Sequence, residues 1–156
     1  GETFAGPSAG SFVLAVQDAV IAAENAVIAA ESLGIGSCYI GDIMEQKEYH
    51  KTLFNLPEYV FPVAMLTLGY YPEDYMVPLK ERFAEKYVVF EERYNELSKE
   101  DIDDMFRKRD QLFTAKNKYN AKNYAQMHYN FKVKAPFSKE MQRSVEEALK
   151  EWDKKE

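Results

Sequence analysis

The chain of 156 residues contains one cysteine, Cys38, and two histidines, His50 and His128. A single cysteine excludes any internal disulfide and fits a reducing cytoplasm. Cys38 falls in a short strand expected to be buried, where it reads as a small inert hydrophobe. The histidines are far apart, without cysteines or paired carboxylates at ligand spacing, so no zinc site is expected. His50 falls on the polar side of its helix and is expected to be solvated. Positive charge is also scarce: 20 Lys and Arg stand against 26 Asp and Glu, for a net charge of −6. That balance argues against a nucleic-acid partner, because phosphate backbones select basic faces. The five lysines of residues 116–134 read as ordinary surface variation. No Gly-x-Gly-x-x-Gly opens a helix, and no glycine-rich loop runs into Lys-Ser or Lys-Thr, so the usual nucleotide loops are missing. No serine elbow or Cys–His pairing stands out. The acid pairs Glu91-Glu92, Asp103-Asp104 and Glu146-Glu147 read as solvated charges. Long hydrophobic runs are lacking too. Gln17, Asp18, Glu24, Asn25 and Glu31 interrupt the apolar stretch between Val13 and Leu33. A membrane span, which needs roughly 20 nearly uninterrupted apolar residues, is not expected. No signal peptide is visible.

Apolar material is nonetheless plentiful. Hydrophobic residues make up 46% of the chain, with 11 Tyr and 10 Phe, enough for one domain with a real core. Residues 1–11 read as a flexible leader and 12–156 as the domain. An Ala-rich helix is predicted from Phe12 to Leu33, apolar nearly all round and therefore buried on most faces. Its small side chains would let a second helix approach closely, which suits a central dimer helix. Gly34 is placed to stop it as a left-handed cap. A strand follows over Ser37–Ile40, then an amphipathic helix over Ile43–Phe54 with Glu45, Lys47, Glu48 and Lys51 outward. The apolar run Val60–Tyr70 reads as a strand covered on both faces, with Pro62 at its start or at a free edge. Tyr87–Phe90 is a short β-prone run. Ser98 and Asp101 form an acidic capping box opening a helix to about Thr114. Ser138 is expected to cap a final helix carrying the stripe Met141, Val145, Ala148, Leu149 and Trp152. The fold class is α+β, with a small sheet flanked by helices.

No side chain stands out as a nucleophile or an acid–base pair, which leaves chemistry carried by a bound cofactor. The segments AAESLGIG, SCYIGD and LPEYVFPVAMLTLGYYPE, followed by a Lys-x-Arg, resemble the FMN-dependent nitroreductase family. The tail NYAQMHYNFKVKAPFSKEMQRSVEEALKEW is similar to the C-terminal part of clostridial-type members. The resemblance implies a nitroreductase-like fold, matched from partway into that domain, since the family's Arg-x-Ser-x-Arg segment has no counterpart here. It implies FMN at a homodimer interface, NAD(P)H as reductant, and a nitroaromatic, quinone or similar acceptor. Carried over, Tyr39, Ile40, Gly41 and Asp42 would line the flavin ring, and Lys80 and Arg82 would hold its phosphate. A glycine at 41 suits close backbone approach to a flat ring. Two departures stand out. Asp42 occupies a position where some members carry glycine, and an acid there would repel an anionic flavin. Glu81 replaces the small residue or proline usual between the two cations. A flavin-free dimeric interaction or structural module derived from the same fold is the alternative reading.

Overall fold

A computed structural model describes residues 6–76, 78–114 and 116–153. In chain order it has α1 (Ala9–Ser32), β1 (Ile35–Ile40), α2 (Lys47–Leu53), β2 (Met65–Tyr70), α3 (Lys99–Gln111), α4 (Tyr124–His128) and α5 (Pro136–Trp152). Short 3₁₀ turns lie at Gly41–Met44 and Glu85–Tyr87, and a π turn at Tyr129–Val133. The chain divides into two units: residues 1–75 with 136–156, and residues 76–135.

In the first unit, Ser8 caps α1 by accepting a hydrogen bond from the Ser11 N–H at 3.3 Å. The helix thus starts inside the stretch expected to be leader, while Gly1–Ala5 lie outside the described residues. Gly34, at φ 73°, takes the left-handed turn that ends the helix, where a Cβ would be strained. Next, β1 pairs with β2 antiparallel, with Ile35 opposite Tyr70 and Ile40 opposite Met65. Phe12 is buried edge-on to Trp152 of α5, with ring centroids 5.3 Å apart, and Phe61 lies 6.0 Å away. This cluster roots α1 and α5 together.

The rest of α1 is far more exposed than the sequence predicts. Leu14, Ile21 and Ile28 are 63%, 62% and 59% exposed. They recur every seven residues and so share one face. The pattern correctly says that α1 is apolar all round, but this chain supplies cover for only one side. By length and composition α1 is also able to cross a bilayer, with mean hydropathy 1.6 over 18 residues. Its interrupting polar residues therefore do not exclude a span, contrary to the expectation. They do make one costly, since a charge at the bilayer centre costs about 2.5–3.5 kcal/mol.

Two further expectations fail for local reasons. The Val60–Tyr70 strand is shorter than expected and begins only at Met65, past Pro62, which has no N–H for a ladder. Because the sheet has only two strands, Leu68, Tyr70 and Cys38 remain exposed; Cys38 is not a buried hydrophobe.

Next to the sheet, α2 packs on α5 through a polar seam. The Lys47 N–H donates to Ser144 Oγ at 3.1 Å, and Ser144 is fully buried. Lys47 is buried rather than outward, because its ammonium reaches Glu151 of α5 at 2.6 Å. Arg143 grips Glu48 with two N–H groups at 3.0 and 2.8 Å and also bonds Glu140. His50 is half-buried rather than solvated; its Nδ1 lies 2.8 Å from the Glu45 carbonyl and its ring stacks on Phe54. Helix α5 itself begins at Pro136, not at Ser138, using proline's preset φ at the first helical position.

Hydrogen bonds from Arg143 pull the Glu48 carboxyl from its ordinary 4.5 down to about 2. Glu140 is lowered by Arg143 as well. Burial alone would raise Glu151, but Lys47 and Lys51 outweigh it and the net shift is downward. A carboxyl whose folded pKa is depressed contributes stability above its unfolded pKa and loses it as pH falls through the folded value. The melting temperature should therefore fall between pH 4.5 and about 2. The variant Arg143→Gln should flatten that slope when both proteins are followed by circular dichroism.

In the second unit, Ser98 and Asp101 form the expected capping box, with the Asp101 N–H donating to Ser98 Oγ at 3.2 Å and Asp101 Oδ2 accepting from the Ser98 N–H at 3.0 Å. The β-prone residues near Tyr87 form a 3₁₀ turn instead of a strand. Tyr87 is buried there, and its hydroxyl donates to Asp104 of α3. Helix α4 is tied to α3 by the Tyr124 N–H, which donates to Asp110 Oδ1 at 2.8 Å.

Candidate functional site

Four of the six residues singled out in the sequence are consecutive at the end of β1. Tyr39 and Ile40 are the last strand residues, opposite Leu66 and Met65. Gly41 and Asp42 open the 3₁₀ turn and are exposed. A side chain at 41 would meet open space, since a Cβ there has only Met44 Cε nearby, at 3.9 Å. The backbone can therefore be approached closely at this point. The Tyr39 hydroxyl donates to Glu24 of α1 at 3.3 Å. Desolvation, then the hydrogen bond and negative charge of Glu24, raise the Tyr39 pKa and keep the phenol protonated. The strand end is thus pinned to α1 by a neutral tyrosine beside an open glycine. A flat ring fits the strand end on that count, whereas the carboxylate of Asp42 does not favour a negatively charged one.

At the other end of the strand, Gly36 faces Gly69 across the ladder, and the Tyr71 ring covers Gly36 so closely that a Cβ would overlap it. Tyr71 in turn stacks on Tyr75, with centroids 5.3 Å apart. The glycine spacing in the sequence marked the turns and strand end, but not this ring-over-glycine packing.

Lys80 and Arg82 lie in the second unit, in the exposed segment before the Glu85–Tyr87 turn. Arg82 lines a cleft in that unit together with Arg109 and Phe83. The sequence reading missed Arg109. Its position over the Phe83 ring, 3.9 Å from the centroid, depends on a partner far along the chain, and no local spacing signals it. Among the described residues, no group of His, Cys, Asp and Glu is arranged to hold a metal ion.

Residues 2–70 match the family model described as the nitroreductase family. A Cr(VI) reductase from Pseudomonas sp. (strain G-1) is 40% identical over 62 residues, which is 40% of this chain and 26% of that protein. The structure of NfrA2 from B. megaterium superposes with a TM-score of 0.74 at 29% identity, over 99% of this chain and 61% of that one. The NADPH:FMN oxidoreductase of Vibrio harveyi, solved in complex with NAD+, superposes with a TM-score of 0.69 over 92% of this chain and 58% of that one. At 23% identity that last likeness is one of fold. The chain thus spans about a quarter of the Cr(VI) reductase and about three-fifths of each of the two structures. Residues 2–70, which hold α1, the two-stranded sheet and the open Gly41, match the nitroreductase family model, and the chain folds as the corresponding part of that fold.

Proposed function

We propose that this chain serves an FMN-dependent oxidoreductase of the nitroreductase type, which passes electrons from NAD(P)H to a nitroaromatic, quinone or similar acceptor. The observation that carries this reading is the open backbone at Gly41, at the end of a strand within the family-matched segment. Bound FMN would supply the hydride chemistry that no side chain in the chain supplies. Tyr39, Ile40, Gly41 and Asp42 would meet its ring. Tyr39, held protonated against Glu24, fixes the strand end without adding charge. Lys80 and Arg82 would take the phosphate, Arg82 through its planar fork and Lys80 as a point charge. A second copy of the chain would cover the exposed Leu14–Ile21–Ile28 face of α1, giving a homodimer, and the lone Cys38 accords with a cytoplasmic setting.

A flavin-free dimeric module built on the same fold is the second reading. It is favoured by the exposed carboxylate of Asp42 beside the open glycine. FMN titration of a Lys80→Ala/Arg82→Ala variant separates the two. Each charge-assisted contact is worth roughly 1.5–3 kcal/mol, so the double variant should lose about a hundredfold or more in FMN affinity. Unchanged affinity would remove these two residues from the site.

A further inference from the structure

Within the second unit, a cavity of about 260 Å³ lies between the end of α3 and α4. Leu112 and Phe113, just past α3, and Met127 of α4 give it apolar walls. Its volume falls just under the roughly 300–1,000 Å³ of sites for drug-sized ligands, which leaves room for one ring and not for a nucleotide. Arg109 brings the cavity its only charge among the described residues. That charge has no carboxylate partner among them. The neighbouring acid, Asp110, accepts from the Tyr124 N–H at 2.8 Å. Glu81 is paired with Lys108, and Asp104 with Lys86 and Arg107. Asn117, also at the cavity, is committed to its own turn: its Oδ1 accepts from the Tyr119 and Ala121 N–H groups at 3.1 and 3.0 Å. Arg109 instead lays its guanidinium over Phe83 at 3.9 Å, with Tyr124 at 5.4 Å. Phe83 is itself held edge-on by Phe106, with centroids 5.3 Å apart. A guanidinium stacked on a ring is fixed in orientation, and its planar fork of donors matches a carboxylate.

We infer that this cavity binds a single-ring aromatic carboxylate, with the Arg109 fork on the carboxylate and the ring against Leu112, Phe113 and Met127. One positive charge balances a monoanion. A phosphate ester, at about −1.5 to −2, would leave uncompensated negative charge against apolar walls. Lys80 and Arg82 do not line the cavity, so the site stands whether or not the flavin reading does.

Isothermal titration of the full chain with benzoate, benzamide, acetate and phenyl phosphate tests it. Benzoate should bind at least roughly tenfold more tightly than acetate, which lacks the ring, and than benzamide, which lacks the charge. Arg109→Gln should weaken benzoate by about tenfold or more and bring it level with benzamide. A merely structural role for Arg109 would weaken both ligands alike and keep their ratio. Leu112 is 86% exposed at the end of α3, so Leu112→Glu should leave the fold intact while placing an acid at the cavity. It should weaken benzoate severalfold, and more than benzamide, even if Arg109→Gln proves unstable by thermal melting. The Lys80→Ala/Arg82→Ala variant should bind benzoate as the wild type does. Benzoate no tighter than acetate or benzamide, phenyl phosphate tighter than benzoate, benzoate binding indifferent to the Arg109 and Leu112 variants, or its loss in the Lys80/Arg82 variant would overturn the site.

Discussion

Ile21→Glu combined with Ile28→Glu is expected to turn a dimer into monomers and to release its flavin. Both side chains are about three-fifths exposed on the isolated chain, so the substitutions should cost the single subunit little. In a symmetric dimer closed over this face, they would bury four unpaired carboxylates. Burying an uncompensated ion costs several kcal/mol, which outweighs the apolar contact it replaces. Even about 4 kcal/mol in total weakens association by roughly a thousandfold. Light scattering after size exclusion should show the wild-type chain at twice the subunit mass and the variant at the subunit mass. A monomeric wild type at high concentration, or a variant that stays dimeric, would remove α1 from the interface.

The second large effect concerns Gly41. Its backbone does not need glycine for conformational reasons, since its φ is not positive, and a Cβ added there would have Met44 Cε as its nearest neighbour, at 3.9 Å. Gly41→Val should therefore fold and melt near the wild-type temperature. Its branched side chain would nevertheless fill the open space over the strand end. A flat ring seated there loses close approach to the backbone, and FMN affinity should fall by roughly a hundredfold or more, about 3 kcal/mol. The contrast between an unchanged melting temperature and lost affinity separates a binding role from a structural one. If FMN binds Gly41→Val as well as it binds the wild type, the ring lies elsewhere.

Local signals were the legible part of this fold. Gly34 ends α1 because only a residue free of Cβ strain turns left-handed cheaply there. Ser98 and Asp101 satisfy each other's backbone donors within four residues, so the start of α3 can be read without knowing anything distant. The residues at the end of β1 were legible through the segment around SCYIG, which runs straight from a glycine-stopped helix. Distant contacts were not legible. Lys47 looks like an outward charge on its own helix, yet Glu151, more than a hundred residues on, makes its burial tolerable. Arg109 acquires its place from Phe83 and Tyr124, which lie on either side of it in the chain. Burial was overestimated for α1 and the sheet because apolar composition says that a surface wants cover, not which molecule provides it.

The central claim is that this chain holds a flavin, and the visible absorption spectrum tests it most directly. The protein should be purified, incubated with excess FMN, desalted and scanned. The account predicts retained flavin absorption at one FMN per subunit, with bands shifted from those of free FMN. A colourless protein after desalting, with added FMN recovered wholly in the small-molecule fraction, would contradict it.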